Sequence, residues 1–174
     1  MVDYSLIIPF FNEEKNIPLV LKKIKKIYKK SKNLEFILVN NGSNDKSEII
    51  FKRDLNKKDK RIRYFKIKKN IGYGYGIKYG LKKSKGKYVG WTHSDMQTDP
   101  TDILKAIKLI NLEKDKEIFV KGKRQERSFR QSFQTTAMEF FTYLILGYNL
   151  RDINAQPKIV TRQFYQKYLR RFAP

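Results

Sequence analysis

The chain of 174 residues contains no cysteine and one histidine, His93. These two shortages remove several chemistries. No disulfide framework, thiolate metal site or cysteine nucleophile can be built, and neither can a site that needs two imidazoles. A chain without cysteine is compatible with a reducing cytoplasm, and that is the expected location. Acidic residues are scarce as well: 17 Asp and Glu stand against 39 Lys and Arg, a formal net charge of +22. Long apolar runs are also missing. The longest, Phe140 to Leu150, is too short to span a bilayer; it reads as a core helix packed on a sheet in preference to a helix at the membrane interface. Met1-Val2-Asp3 opens no signal peptide.

What remains is sufficient for a core. Apolar residues make up 40% of the chain and aromatics 14%, arranged in periodic runs, so the charge does not imply disorder. The length suits one domain, taken as residues 1–174. The basic excess has two readings. It favours phosphate-bearing substrates or anionic lipid, and it also matches the abundance of Lys, Asn, Ile, Tyr and Phe that an AT-rich genome encodes. Nucleic acid is not expected as a partner, because no helix-turn-helix, zinc-finger or RNP-type motif is present.

Strand and helix patterns alternate over the first 120 residues. Tyr4 to Pro9 is a short apolar run that reads as a buried strand. Asn12 then offers a helix cap and Glu13-Glu14 an acidic first turn, followed by Ile17, Val20, Leu21, Ile24, Ile27 and Tyr28 at helical spacing. Glu35 to Val39 predicts a second strand, closed by the turn sequence Asn40-Asn41-Gly42-Ser43, with a helix from Asp45. Further strands are expected at Ile62 to Ile67, Tyr88 to Trp91 and Ile118 to Val120. Helices are expected at Gly72 to Lys83, Pro100 to Leu112 and about Ser128 to Gly147, with a short extended piece at Lys158 to Thr161. The fold class is therefore α/β, a mainly parallel sheet with helices on both faces. In such sheets ligands sit beyond the carboxyl ends of the strands, here Pro9 to Glu13, Asn40 to Asp45, Asn70 to Gly76 and His93 to Pro100.

Two common phosphate loops are absent. A G-x-G-x-x-G starting at Gly72 would need glycine at Ile77, and one starting at Gly74 would need it at Tyr79. No Walker-type G-x-x-x-x-G-K-[ST] occurs either. The glycines of this stretch instead allow a tight turn and close helix packing. The segment His93-Ser94-Asp95-Met96-Gln97-Thr98-Asp99-Pro100 carries more information. Clustered polar and acidic groups at a strand end can hold a divalent cation and a diphosphate: carboxylate oxygen suits Mg²⁺ or Mn²⁺, and imidazole is acceptable to Mn²⁺. The same residues also read as a helix start, with Thr98 or Asp99 as cap and Pro100 in the first turn.

Taken together, Pro9-Phe10-Phe11-Asn12-Glu13, Val39-Asn40-Asn41-Gly42-Ser43-Asn44-Asp45, Asn70-Ile71-Gly72 and His93 to Pro100 resemble family 2 glycosyltransferases of the GT-A, Rossmann-like fold. The nearest branch is that of the dolichyl- or polyprenyl-phosphate sugar synthases, whose pattern runs P-x-Y-N-E, V-D-D-G-S-x-D, N-x-G and D-A-D-L-Q-x-x-P in this order. Gly122-Lys123-Arg124 resembles that branch's G-x-R, and Asp152 to Lys158 its later D-x-x-x-G-F-R/K.

The resemblance implies a nucleotide-sugar donor, a polyprenyl-phosphate acceptor, inverting transfer and Mg²⁺ or Mn²⁺ as cofactor. It implies that Pro9, Phe11 and Glu13 line the nucleotide pocket and that Val39 and Asn41 meet the base. Asp95 would hold the metal, with His93 beside it, Ser94 and Gln97 would border the sugar diphosphate, and Arg124 would counter the phosphates. Lys158 and Arg162 would attract the acceptor, and the basic surface an anionic membrane at its cytoplasmic face.

The departures from the pattern are specific. Phe11 replaces the usual Tyr, Asn40-Asn41 replaces Asp-Asp, and His93 replaces the first Asp of D-x-D. Losing that carboxylate implies weaker Mg²⁺ binding, a preference for Mn²⁺, or a degenerate member that binds nucleotide without turnover. The family domain continues beyond the point matching Pro174, so the acceptor side is expected to be incomplete.

Overall fold

Apolar runs too short for helices become strands covered on both faces. The computed structural model describes residues 2–55, 59–113, 117–123, 152 and 154–170. In chain order the elements are β1 (Tyr4–Phe10), α1 (Ile17–Lys30), β2 (Leu34–Asn41), α2 (Ser47–Asp54), β3 (Ile62–Ile67), α3 (Tyr73–Lys83), β4 (Tyr88–Trp91), α4 (Ile103–Leu112), β5 (Phe119–Lys121) and β6 (Lys158–Thr161). A 3₁₀ turn over Pro100–Asp102 leads into α4, and a helical segment over Arg162–Leu169 follows β6. The expected helix at 128–147 lies outside the described residues.

The six strands form one sheet in the order β3-β2-β1-β4-β6-β5. β1 to β4 are mutually parallel where they pair. β6 runs antiparallel between β4 and β5. The sheet is thus mixed, with a parallel majority. Every residue of β1 and β2 is buried, as strands covered on both sides must be, and this is why their sequences read as continuous runs without alternation.

Side chains still alternate between two cores. Leu6, Ile8, Phe10, Phe36 and Leu38 pack with Ile17, Val20, Ile24 and Ile27 of α1, Phe51 of α2 and Ile103 and Ile110 of α4. Ile7, Ile37 and Val39 pack on the opposite face with Leu81 of α3, Val89 and Val160. α3 comes in close at Gly80, where a Cβ would lie 2.4 Å from Ile7 Cγ2. Among the described residues no helix is long and apolar enough to cross a membrane.

One charged group sits inside this arrangement. Glu35, 2% exposed, accepts bonds from Ser5 Oγ at 2.7 Å, Lys85 N at 2.6 Å and Arg63 Nη1 at 3.1 Å. A buried carboxylate is tolerated because its oxygens are satisfied. Glu35→Ala would leave the Lys85 N–H and the Ser5 hydroxyl without an acceptor. Chemical denaturation is expected to show a loss of about 3 kcal/mol.

Candidate active site

Four strand-end loops on the carboxyl edge of the sheet enclose a cleft of about 240 Å³, lined from β1 by Pro9, Phe10, Phe11 and Glu13, and from β2 by Asn41. Asn70 and Gly72 contribute from the loop after β3, Tyr73 from the first turn of α3, and His93, Ser94 and Asp95 from the loop after β4.

The first two loops are laced together through side chains. Asn12 takes a left-handed conformation at φ 55°. Its N–H donates to Ser43 Oγ at 3.0 Å, while its Oδ1 accepts from Asn44 N at 3.0 Å. Glu13 N donates to Ser47 Oγ at 2.8 Å and Glu14 N to Asp45 Oδ2 at 3.0 Å. The Asn12 side chain is spent on Asn44 N and not on a following N–H, so Asn12 is not the cap of α1, which starts at Ile17.

Asn40 closes the β2 turn. Its Oδ1 accepts from Ser43 N at 2.8 Å, and its amide donates to the Tyr64 hydroxyl at 3.2 Å. The family's first Asp at this point is thus replaced by a group that serves the turn. Gly42 stands at φ 78°, where an added Cβ would lie 2.7 Å from Asn70 N.

Asn41 spans two loops. Its Nδ2 donates to Asn70 Oδ1 at 3.0 Å and to the Gly72 carbonyl at 2.9 Å. Because the Gly72 carbonyl can only accept, the amide orientation follows from the network. Asn41 Oδ1 is left buried without a hydrogen-bond partner. A buried acceptor of this kind costs stability unless a ligand satisfies it.

On the far wall, Asp95 Oδ1 accepts from Gln97 N at 3.0 Å across Met96, itself at φ 61°. Asp99 caps the 3₁₀ turn through Thr101 N at 2.8 Å and pairs with Lys23 of α1 at 2.6 Å. The capping reading of this segment therefore holds for Asp99, and Asp95 stands before the cap, facing the cleft. Tyr73 stacks on His93 with ring centroids 4.6 Å apart and 13° between planes. Burial, and secondarily the Asp95 carboxylate, hold the Tyr73 phenol well above its ordinary pKa.

Residues 5–173 match the family described as Glycosyl transferase family 2. The chain belongs to this family. The dodecaprenyl-phosphate galacturonate synthase of Rhizobium johnstonii is 24% identical over 160 residues, covering 91% of this chain and 47% of the relative. The dolichyl-phosphate beta-glucosyltransferase of Dictyostelium discoideum is 27% identical over 176 residues, covering 91% and 54%. The chain spans about half the length of these curated relatives. Among solved structures, glucosyl-3-phosphoglycerate synthase from Mycobacterium tuberculosis, in complex with Mn²⁺, UDP-glucose and phosphoglyceric acid, superposes with a TM-score of 0.69. At 18% identity, covering 93% of this chain and 57% of that one, the likeness is one of fold.

In this family 2 domain the cleft unites Pro9, Phe11, Glu13, Asn41, His93, Ser94 and Asp95, all named from the sequence. Val39, Gln97 and Lys158 lie outside its lining. Val39 is fully buried beneath α3 with Ile7 and Leu81. Gln97 reaches Asp95 through its backbone N–H. Lys158 stands opposite Trp91 on one side and Lys121 on the other; burial, then the Lys121 charge, lower its pKa. Arg124 lies outside the described residues. Tyr73 was not named, although it directly follows the Asn70-Ile71-Gly72 motif.

Among the described residues, no group of three or more His, Asp or Glu side chains is arranged to hold a metal by itself. The cleft lining does hold the Asp95 carboxylate and the His93 imidazole on the loop after β4, with the Glu13 carboxylate on the loop after β1. That donor set fits a cation which takes its remaining ligands from substrate phosphates and water, as Mg²⁺ and Mn²⁺ do.

The lacing of the loops should be pH-sensitive. Burial pushes the Asp45 carboxyl up, but the bonds it accepts from Ser47 and Glu14 outweigh this and hold it below its ordinary value. A carboxyl depressed on folding contributes stability that is full above its unfolded pKa, about 3.9, and is lost as pH falls through the folded value. Asp45→Asn should therefore melt below wild type at pH 7, and the gap should close as pH falls below about 4. Thermal melts from pH 3 to pH 7 check this.

Proposed function

We propose that this domain transfers a sugar from a nucleoside diphosphate donor to a polyprenyl phosphate, with a divalent cation held at Asp95 and His93. The observation that carries the reading is the cleft itself: segments remote in sequence bring Asn41, whose Oδ1 is buried without a partner, and the Asp95 carboxylate to the wall of one cavity. Asn41 Oδ1 suits a base that presents a ring N–H, as uracil and guanine do. Phe11, 40% exposed, offers an apolar surface beside it. Bound at Asp95 and His93, a divalent cation would neutralise charge developing on the departing nucleoside diphosphate. Arg124 would add a second positive group, for which a guanidinium fork is well shaped. A phosphate acceptor is already an anionic nucleophile and needs no general base, in keeping with the lack of an obvious catalytic carboxylate in the sequence after Asp99. Relatives whose names contain a prenyl phosphate, among them the two reported above, support the acceptor class.

Radiolabelled UDP- and GDP-sugars supplied with polyprenyl phosphate and Mn²⁺ should yield a chloroform-soluble product. Transfer to a soluble glycan alone would overturn the acceptor class. The His93 and Asn41 departures favour one second reading, a nucleotide-binding member without turnover. Measurable nucleotide binding with no transfer to any acceptor would establish it.

A further inference from the structure

Two cavities beside α1 are lined by lysines and by no carboxylate. The larger is a groove of about 570 Å³ between α1 and α4, bordered by Lys26, Lys30, Lys32, Lys105 and Lys108. The smaller is a pit of about 330 Å³, lined by Leu19, Lys22, Lys23, Lys26 and Met96. Lys26 belongs to both, so the two adjoin. Helical spacing explains the face they share. Ile17, Val20, Leu21, Ile24 and Ile27 of α1 turn inward and leave Leu19, Lys22, Lys26 and Lys30 on the outer side. On α4, Ile103, Ala106 and Ile110 are buried and Lys105, Lys108 and Leu112 stand outward. Leu112 is 78% exposed and Leu19 48%. Lys23 and Lys105 are paired with Asp99 and Asp102, whereas Lys22, Lys26, Lys30, Lys32 and Lys108 have no ion pair among the described residues.

Unneutralised lysines interleaved with exposed leucines fit a partner that offers negative charge and an apolar interior together. A second copy of the chain would bring the same lysines and be repelled. Nucleic acid or free phosphate would satisfy the charges and leave the leucines and the apolar wall of the pit in water. An anionic bilayer supplies phosphates to the ammonium heads and chains to the leucines and lysine stems. The pit also sets this face beside the cleft. Asp95 lines the cleft, and the next residue, Met96 at φ 61°, lines the pit.

We infer that the α1–α4 face is the surface by which this domain lies on an anionic bilayer, with Leu19, Leu112 and the pit taking lipid chains. The choice of a bilayer rests on the lipid acceptor proposed above. The test uses no sugar nucleotide, so either reading can fail alone.

A net charge of +22 draws the whole molecule to anionic vesicles, so the test must compare faces. The full chain is titrated with vesicles of phosphatidylcholine and phosphatidylglycerol in a ratio of about three to one, a composition that gives the surface a negative potential. Lys26→Gln, Lys30→Gln and Lys108→Gln combined should weaken partitioning about a hundredfold, each lysine at a bilayer surface contributing roughly fivefold. Lys82→Gln, Lys83→Gln and Lys87→Gln combined remove the same charge at and just after the end of α3, on the opposite face of the sheet. They should weaken it less than about fivefold, because charges more than a Debye length from the surface are screened. With no native cysteine, one introduced thiol carries one environment-sensitive fluorophore. Labels at Leu19→Cys and Leu112→Cys should shift to the blue on the mixed vesicles and not on phosphatidylcholine alone, and a label at Lys82→Cys should stay unchanged. Equal weakening by the two triple variants, or equal shifts on both faces, would show attraction by total charge and overturn the proposal. So would the absence of partitioning, or equal shifts on neutral vesicles. A blue shift without vesicles that grows with protein concentration would make this face a contact between copies, and the bilayer would be wrong. Face-specific docking with no chloroform-soluble sugar product would uphold this surface and count against the acceptor reading alone.

Discussion

Asp95→Ala is expected to abolish the metal-dependent part of nucleotide-sugar affinity while leaving the fold intact. The carboxylate accepts one backbone hydrogen bond, from Gln97 N at 3.0 Å. Its loss should cost folding only about 1 kcal/mol. Its cost at the site is of another order. Among the described residues the retained D-x-D carboxylate is the only Asp in the cleft lining, Glu13 standing on the loop after β1, and His93 adds no negative charge. On the proposed mechanism, turnover should fall on the order of 10²- to 10³-fold, the scale of removing one preorganised electrostatic contact to a transition state. Calorimetry with a UDP- or GDP-sugar and Mn²⁺ reads the binding half of this prediction. Equal affinities for wild type and variant would remove Asp95 from the metal site.

Gly42→Ala is expected to damage fold and site together. The residue combines two demands. Its φ of 78° is strained for any residue with a Cβ, and that Cβ would meet backbone, Asn70 N at 2.7 Å and Lys69 C at 2.8 Å. Backbone cannot rotate away as a side-chain tip can. Strain and overlap together should cost about 3 kcal/mol. The forced movement would separate the loop after β2 from the loop after β3, and with it break the Asn41–Asn70 bond of 3.0 Å that joins them. Nucleotide affinity should therefore fall further than the loss of stability explains. Melting temperature and affinity measured on the same preparation check both halves. Gly72→Ala supplies the comparison: φ is 111°, but nothing lies within 4 Å of the added Cβ. It should show strain without displacement.

The parts of this molecule that depend on local pattern are legible in its sequence. β1 and β2 declare themselves as apolar runs ended by polar turns, and the inward face of α1 follows from the spacing of Ile17, Val20, Leu21, Ile24 and Ile27. The cleft is legible because ligands in such sheets gather where parallel strands end. What escaped depends on contacts between distant residues. Asn12 is no cap for α1, because its Oδ1 accepts from the N–H of Asn44 on a different loop. No periodicity reports that. The Lys158–Thr161 segment reads only as extended, because its place between β4 and β5 is decided by pairing with Trp91 and Lys121. Tyr73 looks like any first-turn aromatic until His93 is set against it.

The position of β6 has a consequence for how the chain assembles during synthesis. β1 to β4 pair with one another and need nothing from later residues to do so. β5 joins the sheet only through β6, and 36 residues separate Lys121 from Lys158. At translation speeds of about 5–20 residues per second, β5 waits roughly 2–7 s for the strand that joins it to the sheet, and the edge of β4 waits longer still. Over that interval the parallel four-strand core can form on the ribosome while its β4 edge stays open to other chains. The ordering is imposed by topology alone. A nascent chain arrested between Lys121 and Lys158 should therefore protect the backbone amides of β1 and β2 from exchange and leave those of β5 unprotected.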